Sequence, residues 1–166
     1  MDELRFACDP TLGRLARWLR LAGFDAVFDP TLPAPSLVGQ ARASGRWLLT
    51  RSGALAAIAG PRAVLLRAPA TDRQVAELRE RLPLVAEPAR FLTRCSCCNE
   101  PLREVARAAV LERVPPYVAA HADRFVACRR CGRVYWPGTH VGRIVARLEA
   151  WFIGQPEAPQ GSAKSS

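Results

Sequence analysis

A small parallel sheet flanked by helices, followed by a compact metal-stapled module, is the fold class this sequence predicts, on two observations. Short apolar runs alternate with stretches of helical spacing from Phe6 to Leu82, and such alternation in short units is the pattern of a parallel α/β sheet. Beyond Pro88 the alternation stops, and five of the six cysteines fall between Cys95 and Cys131.

Phe6, Ala7 and Cys8 form the first apolar run, which Asp9 closes before the Pro10-Thr11 break. Leu12, Leu15, Ala16 and Leu19 then recur at helical spacing, and Gly23 supplies the stop. In an open α/β sheet a carboxylate at the carboxyl end of a strand faces the crevice where ligands bind. The other face of the same helix carries Arg14, Arg17 and Arg20, so acid and cations are expected near one another, as a site for a metal ion and a phosphodiester requires. An Asp before Pro-Thr is equally well placed as a turn or cap residue, and both readings stand.

Residues 24–28 read as a second strand, with Asp25 at its start and Asp29-Pro30 at its end. Ser36 is expected to cap a helix carrying Leu37, Val38 and Ala41, which Gly45 ends. Trp47, Leu48 and Leu49 make a third strand that runs into Thr50-Arg51-Ser52-Gly53 and a small helix over residues 54–59. Residues 63–66 give a fourth strand, and Thr71 with Gln74 reads as a capping box opening a helix over residues 72–82. In such a sheet the ends of strands one and three approach, so Asp9 and the Thr50-Arg51-Ser52 turn are expected to share one crevice.

The chain divides near Arg90 into a sheet domain, residues 1–90, and a cysteine module with a last helix, residues 91–153. The Pro-, Gly- and Ser-containing stretch 154–166 is expected to be disordered. A hydrophobic content of 49% with 23% charged residues describes a globular chain and excludes a disordered one. The net charge of +9 favours a polyanionic partner such as nucleic acid over a small-molecule substrate. No single run carries that charge: residues 1–94 hold 14 basic and 9 acidic residues, the remainder 10 and 6. Nothing in the pattern speaks to oligomeric state.

Asp2, Glu3 and Asp9 interrupt the region where a secretory signal would lie, and no apolar run reaches membrane-spanning length. A cytoplasmic protein with no membrane partner is therefore expected. A reducing compartment argues for metal ligation over disulfides.

Cys95-x-x-Cys98 and Cys128-x-x-Cys131 carry the strongest signal in the chain. Two residues between thiolates let one tight turn aim both sulfurs at a tetrahedral ion, and a second turn completes a closed, structural four-sulfur zinc shell; disulfides and free thiols are the alternatives. Asn99 and Gly132, each directly after a turn, suit the left-handed conformation these turns require. Cys97 is a spare thiol within the first turn, and Cys8 reads as a small buried residue. A short helix is expected within residues 104–112, and Thr139 is expected to cap a last helix with Val141, Ile144, Val145 and Leu148 on one face. Tyr135 and Trp136 either pack the module onto the first domain or, beside Arg129, Arg130 and Arg133, form a stacking and phosphate-binding surface. His140 is open to capping, packing, RNA or zinc.

Taken together, these residues resemble the Mut-7 C-terminal RNase domain family, a PIN-like nuclease fold joined to a zinc ribbon. The likeness runs from about Leu4 to Leu148. It rests on Asp9 with Leu12-Gly13-Arg14-Leu15-Ala16-Arg17-Trp18-Leu19-Arg20, on Gly23-Phe24-Asp25, and on Gly45-Arg46-Trp47-Leu48-Leu49-Thr50-Arg51. It continues in Arg94-Cys95, Cys98-Asn99, Leu102 and Val114-Pro115, and ends in Cys128 and the run from Cys131 to His140. The resemblance implies a ribonuclease in which several carboxylates gather magnesium or manganese. Asp9 matches the first family acid, whereas Ser52 stands where the family has Asp after Thr-Arg, and Ala34-Pro35-Ser36 replaces the acids that open the second helix. Asp25, Asp29, Arg51 and Ser52 are left to support Asp9, and Asp72 remains as a further substitute acid; Asp25 also matches a common family position, for which a structural role is the alternative. RNA contacts are expected from Arg14, Arg17, Arg20, Arg51, Arg130 and Arg133, and zinc ligation from Cys95, Cys98, Cys128 and Cys131. Two expectations follow from the resemblance: a protein that binds RNA or a ribonucleoprotein with a depleted nuclease site, or an active endoribonuclease using Asp9 and rearranged acids.

Overall fold

The computed structural model describes residues 3–153; the stretch expected to be disordered, 154–166, lies outside the described residues. Strands β1 (Arg5–Cys8), β2 (Asp25–Phe28), β3 (Trp47–Thr50) and β4 (Ala63–Leu65) form one parallel sheet in the order β2-β1-β3-β4. Phe6, Cys8 and Leu49 face one side, Ala7 and Leu48 the other, the alternation that the two-residue period of a strand imposes. Helices α1 (Gly13–Leu21) and α4 (Thr71–Arg81) cover the first side with Leu15, Leu19, Val75 and Leu78, and α2 (Ala34–Ala43) and α3 (Gly53–Ala59) cover the second with Leu37, Val38, Ala41 and Leu55. Burial on both faces explains why the strands read as unbroken apolar runs.

The chain steps from β1 outward to β2, then crosses to β3 and β4 on the other flank. The winding therefore reverses between β1 and β3, the switch point where open α/β sheets bind ligands. Cys8 lies opposite both Phe28 and Leu49, so the residues just beyond the strands form one rim.

Three helix starts differ from the sequence reading. Helix α2 begins at Ala34 behind Pro33, which leaves Ser36 exposed inside the first turn with no capping bond. Helix α4 begins at Thr71 behind Ala70 without a capping box; buried Gln74 instead donates to Ala68 O, and Glu77 accepts from Arg67 N and Ala68 N. The last helix, α6 (Thr139–Phe152), starts on Thr139 itself behind Gly138.

The cysteine module is a three-stranded antiparallel sheet, β5 (Leu102–Val105), β6 (Phe125–Cys128) and β7 (Val134–Tyr135). Residues 104–112 hold the end of β5 and parts of two 3-10 turns in place of the expected helix, and the short α5 (Pro116–His121) follows. Val110, Val114, Ala122 and Phe125 make its own small core, and Val134 and Trp136 pack against that core instead of joining the module to the first sheet. That joining falls to α6, whose Leu148 and Phe152 enter the core of the parallel sheet. Trp151 packs on Trp18 of α1 at 4.8 Å between ring centroids, with the Arg147 guanidinium over both rings.

A polar seam completes the union. Arg20, only 4% exposed, donates from Nε to Ala26 O and from Nη1 to the Ser96 and Cys97 carbonyls. Asn99 accepts from Ala26 N at 3.0 Å and donates to Asp25 Oδ1 at 2.6 Å. Arg46 grips Asp25 with both nitrogens, at 2.7 and 2.9 Å, and Arg94 bridges the Gly23 and Asn99 carbonyls. Strand β2 is an edge strand, and these side chains cover backbone groups that an edge otherwise offers to another chain. Gly23 permits the approach: its φ is +94°, and a Cβ there would lie 2.6 Å from Arg90 O.

Burial alone would raise the Asp25 pKa, but the hydrogen bonds from Arg46 and Asn99 outweigh it and hold the carboxyl below the usual range. A carboxylate depressed in the folded state stabilises in full above its unfolded pKa, about 4, and the gain is lost as pH falls through the folded value. Arg46→Ala is expected to cost about 2 kcal/mol, since it strips a mostly buried carboxylate of its two charged donors. The melting-temperature gap between wild type and Asp25→Asn is expected to close on acidification below about pH 4; a gap that stays constant through that range contradicts the seam.

Candidate functional site

The cysteine turns are built alike. Asn99 N donates to Cys95 O and Gly132 N to Cys128 O, both at 2.9 Å, and Asn99 and Gly132 each adopt a φ of +73°. These are the left-handed positions expected from the sequence. The sulfurs of Cys95, Cys98, Cys128 and Cys131 all lie within 4.8 Å of one another. A tetrahedral ion with sulfurs about 2.3 Å away separates them by about 3.8 Å, so the donor set fits zinc. The Tyr135 hydroxyl, 3.1 Å from Cys95 Sγ, supplies an outer hydrogen bond of the kind that orients a ligand. Burial and the neighbouring Cys128 push the Cys98 thiol up to about 12, whereas at Cys95 the hydrogen bonds from Tyr135 and the turn backbone outweigh burial and bring the thiol down to about 6; a bound divalent ion favours the thiolate form of every ligand. Cys97 is exposed and outside the cluster. Cys8 is sealed in the sheet core, where burial pushes its thiol up to about 12 and leaves it inert.

The rim of the parallel sheet is the second candidate. Asp9 leaves β1 at the switch point and meets the β3 corner as the topology predicts, but it meets it as a clamp. Its Oδ1 accepts from Thr11 N and Thr11 Oγ1 at 2.8 and 2.5 Å, and its Oδ2 from Thr50 Oγ1 and Arg51 N at 2.6 and 2.9 Å. A carboxylate offers about four lone-pair positions, and all are taken. Asp9 is 3% exposed and Thr50 fully buried. Ser52 N donates to Thr50 Oγ1, and the Ser52 hydroxyl caps α3 by accepting from Leu55 N.

A family model for the Mut7-C RNAse domain matches residues 4–148. The chain belongs to that family. No curated protein and no solved structure matches it.

Of the residues on which the sequence resemblance to the Mut7-C RNAse domain rests, Arg20, Asp25, Arg46, Arg94 and Asn99 sit in the seam, and Asp9, Thr50 and Arg51 on the rim. Two placements correct the sequence reading. Arg20 is not on an exposed face, because α1 packs between the sheet and the first cysteine turn and buries that position. Asp25 does not support Asp9 and takes the alternative, structural role: it pairs in register with Arg5 at the amino end of the sheet, four residues or about 13 Å along the strands from the rim. Asp29 is on the rim, next to Asp9 in register. It is exposed, and hydrogen bonds from Thr31 hold its carboxyl below the ordinary range. Asp72 is an exposed residue in the first turn of α4. Arg14, Arg17 and Arg51 are exposed at or near the rim end of the first unit, and Arg130 and Arg133 are exposed on the cysteine module. His140 is exposed in the first turn of α6.

The sequence reading passed over one repeated signal: Asp9-Pro10-Thr11-Leu12 and Asp29-Pro30-Thr31-Leu32 are the same four residues after neighbouring strands, and each folds into the same Asp–Thr turn. It also passed over Arg67, which joins Arg51 on the rim. Among the described residues no helix is long and apolar enough to cross a membrane.

Elemental analysis is expected to give about one zinc per chain, the capacity of a four-thiolate shell. Cys98→Ser is expected to abolish that content and Cys97→Ser to preserve it; zinc lost equally from both variants contradicts the ligand set.

Proposed function

We propose that the chain binds RNA on a scaffold stapled by a structural zinc ion, and that its PIN-like rim does not carry out metal-dependent cleavage. The observation that supports this reading is the saturation of Asp9, whose oxygens accept four internal hydrogen bonds while its side chain is buried. A magnesium or manganese ion wants several free oxygen ligands. Among the described residues Asp29 is the acid beside Asp9 in register, the Glu77 carboxylate is engaged by Arg67 N and Ala68 N, Asp25 lies at the far end of the sheet, and the replaced position is a serine already engaged as a helix cap. Among the described residues the cysteines are the one group of three or more potential ligands close enough to share an ion. The residues present therefore do not fit a nuclease metal site, and no catalytic step is assigned to one. Family membership, a net charge of +9 and exposed Arg14, Arg17, Arg51, Arg130 and Arg133 favour RNA as the partner.

Titration of labelled RNA with and without manganese is expected to show salt-sensitive binding and no metal-dependent turnover. Asp9→Asn is expected to lower stability by about 2 kcal/mol, because the amide nitrogen cannot accept from Arg51 N. A ligand held for metal chemistry behaves in the opposite way, since its removal commonly leaves stability unchanged or raised while activity disappears. Manganese-dependent cleavage that vanishes in a fully stable Asp9→Asn protein would sink the reading and restore the active endoribonuclease.

A further inference from the structure

The rim is electrically divided. Its β2 end presents exposed Asp29, its centre holds buried Asp9, and its β3 and β4 end carries Arg51 and Arg67. Both guanidiniums are exposed, and among the described residues neither has a hydrogen-bond or ion-pair partner. Their backbones are fixed: Arg51 N donates to Asp9 Oδ2 at 2.9 Å, Leu66 N to Thr50 O at 2.8 Å, and Arg67 N to Glu77 Oε2 at 2.8 Å. Glu77 is itself engaged, since its other oxygen accepts from Ala68 N. Between the two arginines opens a shallow depression lined also by Gly53, Leu65 and Leu66. At Gly53 a Cβ would meet no atom within 4 Å, so nothing of the chain fills the space.

We propose that this depression is a subsite for a phosphate monoester at the end of an RNA strand, held by Arg51 and Arg67. The proposal rests on the RNA-binding reading above and gives that site its substrate class. Guanidinium forks match phosphate oxygens in pairs, and roots pinned by the rim lower the cost of aiming them. A terminal phosphate carries nearly two negative charges near neutral pH where an internal diester carries one, and two unneutralised cations suit the former. The exposed carboxylate of Asp29 at the other end of the rim repels a backbone continuing along it. A strand that stops at the β4 side meets the two cations and a Glu77 carboxylate whose oxygens are already held by Arg67 N and Ala68 N.

The test is fluorescence anisotropy with short RNA oligomers of one sequence carrying a 5′-phosphate, a 3′-phosphate or no terminal phosphate. One phosphorylated end is expected to bind about tenfold tighter than the bare oligomer, the worth of one charged hydrogen-bond pair. Arg51→Gln and Arg67→Gln should each erase that preference, and Arg103→Gln, which removes an exposed charge from β5, should keep it. Gly53→Glu places a carboxylate in open space and should erase the preference with the melting temperature unchanged. Equal affinity for all three oligomers overturns the subsite and leaves the RNA reading standing. A parallel titration with adenosine 5′-monophosphate, followed by backbone amide shifts, separates the remaining case: shifts at Arg51, Gly53 and Arg67 in a protein that binds no RNA uphold the subsite and overturn the RNA reading, while no shifts and no RNA binding overturn both.

Discussion

One asparagine sets the constraint on which the rest of the structure depends. Asn99 must take a left-handed backbone to close the first cysteine turn, and from that position its side chain covers the Ala26 N–H on the free edge of β2 and grips Asp25. The geometry that aims Cys95 and Cys98 at a common point is thus the geometry that docks the module on the sheet. Arg20 repeats the logic from the other direction, since its guanidinium reaches out of α1 to the carbonyls of Ser96 and Cys97. Each buried polar group in this seam has a partner, and satisfied buried networks of this kind specify one arrangement of the parts they join. With α6 crossing back so that Leu148 and Phe152 enter the sheet core, the two units share both an apolar and a polar interface.

The seam changes how the acids of this Mut7-C RNAse domain are understood. Asp25 belongs to it and answers to Arg46 and Asn99. Asp9 stands at the switch point, where catalytic chemistry is expected, yet its four acceptor positions serve Thr11, Thr50 and Arg51. It ties β1 to β3 at the rim much as Asn99 ties the module to β2 at the other end. A carboxylate so employed serves as a clamp between the ends of two strands. In the proposed reading the rim's remaining work is done by its cations.

Local patterns were the legible part of the sequence. The strands announced themselves because both faces of the sheet are covered, and the four thiols because each ligand pair lies within one turn of chain. The meeting of Asp9 with Thr50 and Arg51 also followed, from strand topology alone. Pairings between distant segments were hidden. Arg20 read as one of three arginines on an exposed helix face, but α1 has a second buried face against a turn some 76 residues later. The contact of Asp25 with Asn99 spans 74 residues, and nothing in either neighbourhood signals the other. Helix starts were misjudged at Ser36, Thr71 and Thr139 because a capping residue type is common one to three positions inside a helix as well as before it. The paired Asp-Pro-Thr-Leu turns were visible in the letters and needed only the register of β1 and β2 to acquire meaning.

The central claim, that the thiolate cluster and the parallel sheet form one cooperative unit through the seam, is tested most directly by amide hydrogen exchange before and after chelation of the zinc assigned to the cysteines. The account predicts that protection of the Ala26 amide and of its β1 neighbours falls together with that of β6. If the Ala26 amide and the β1–β3 ladder keep their full protection while the cysteine module alone opens, the seam does not couple the two and the account is wrong.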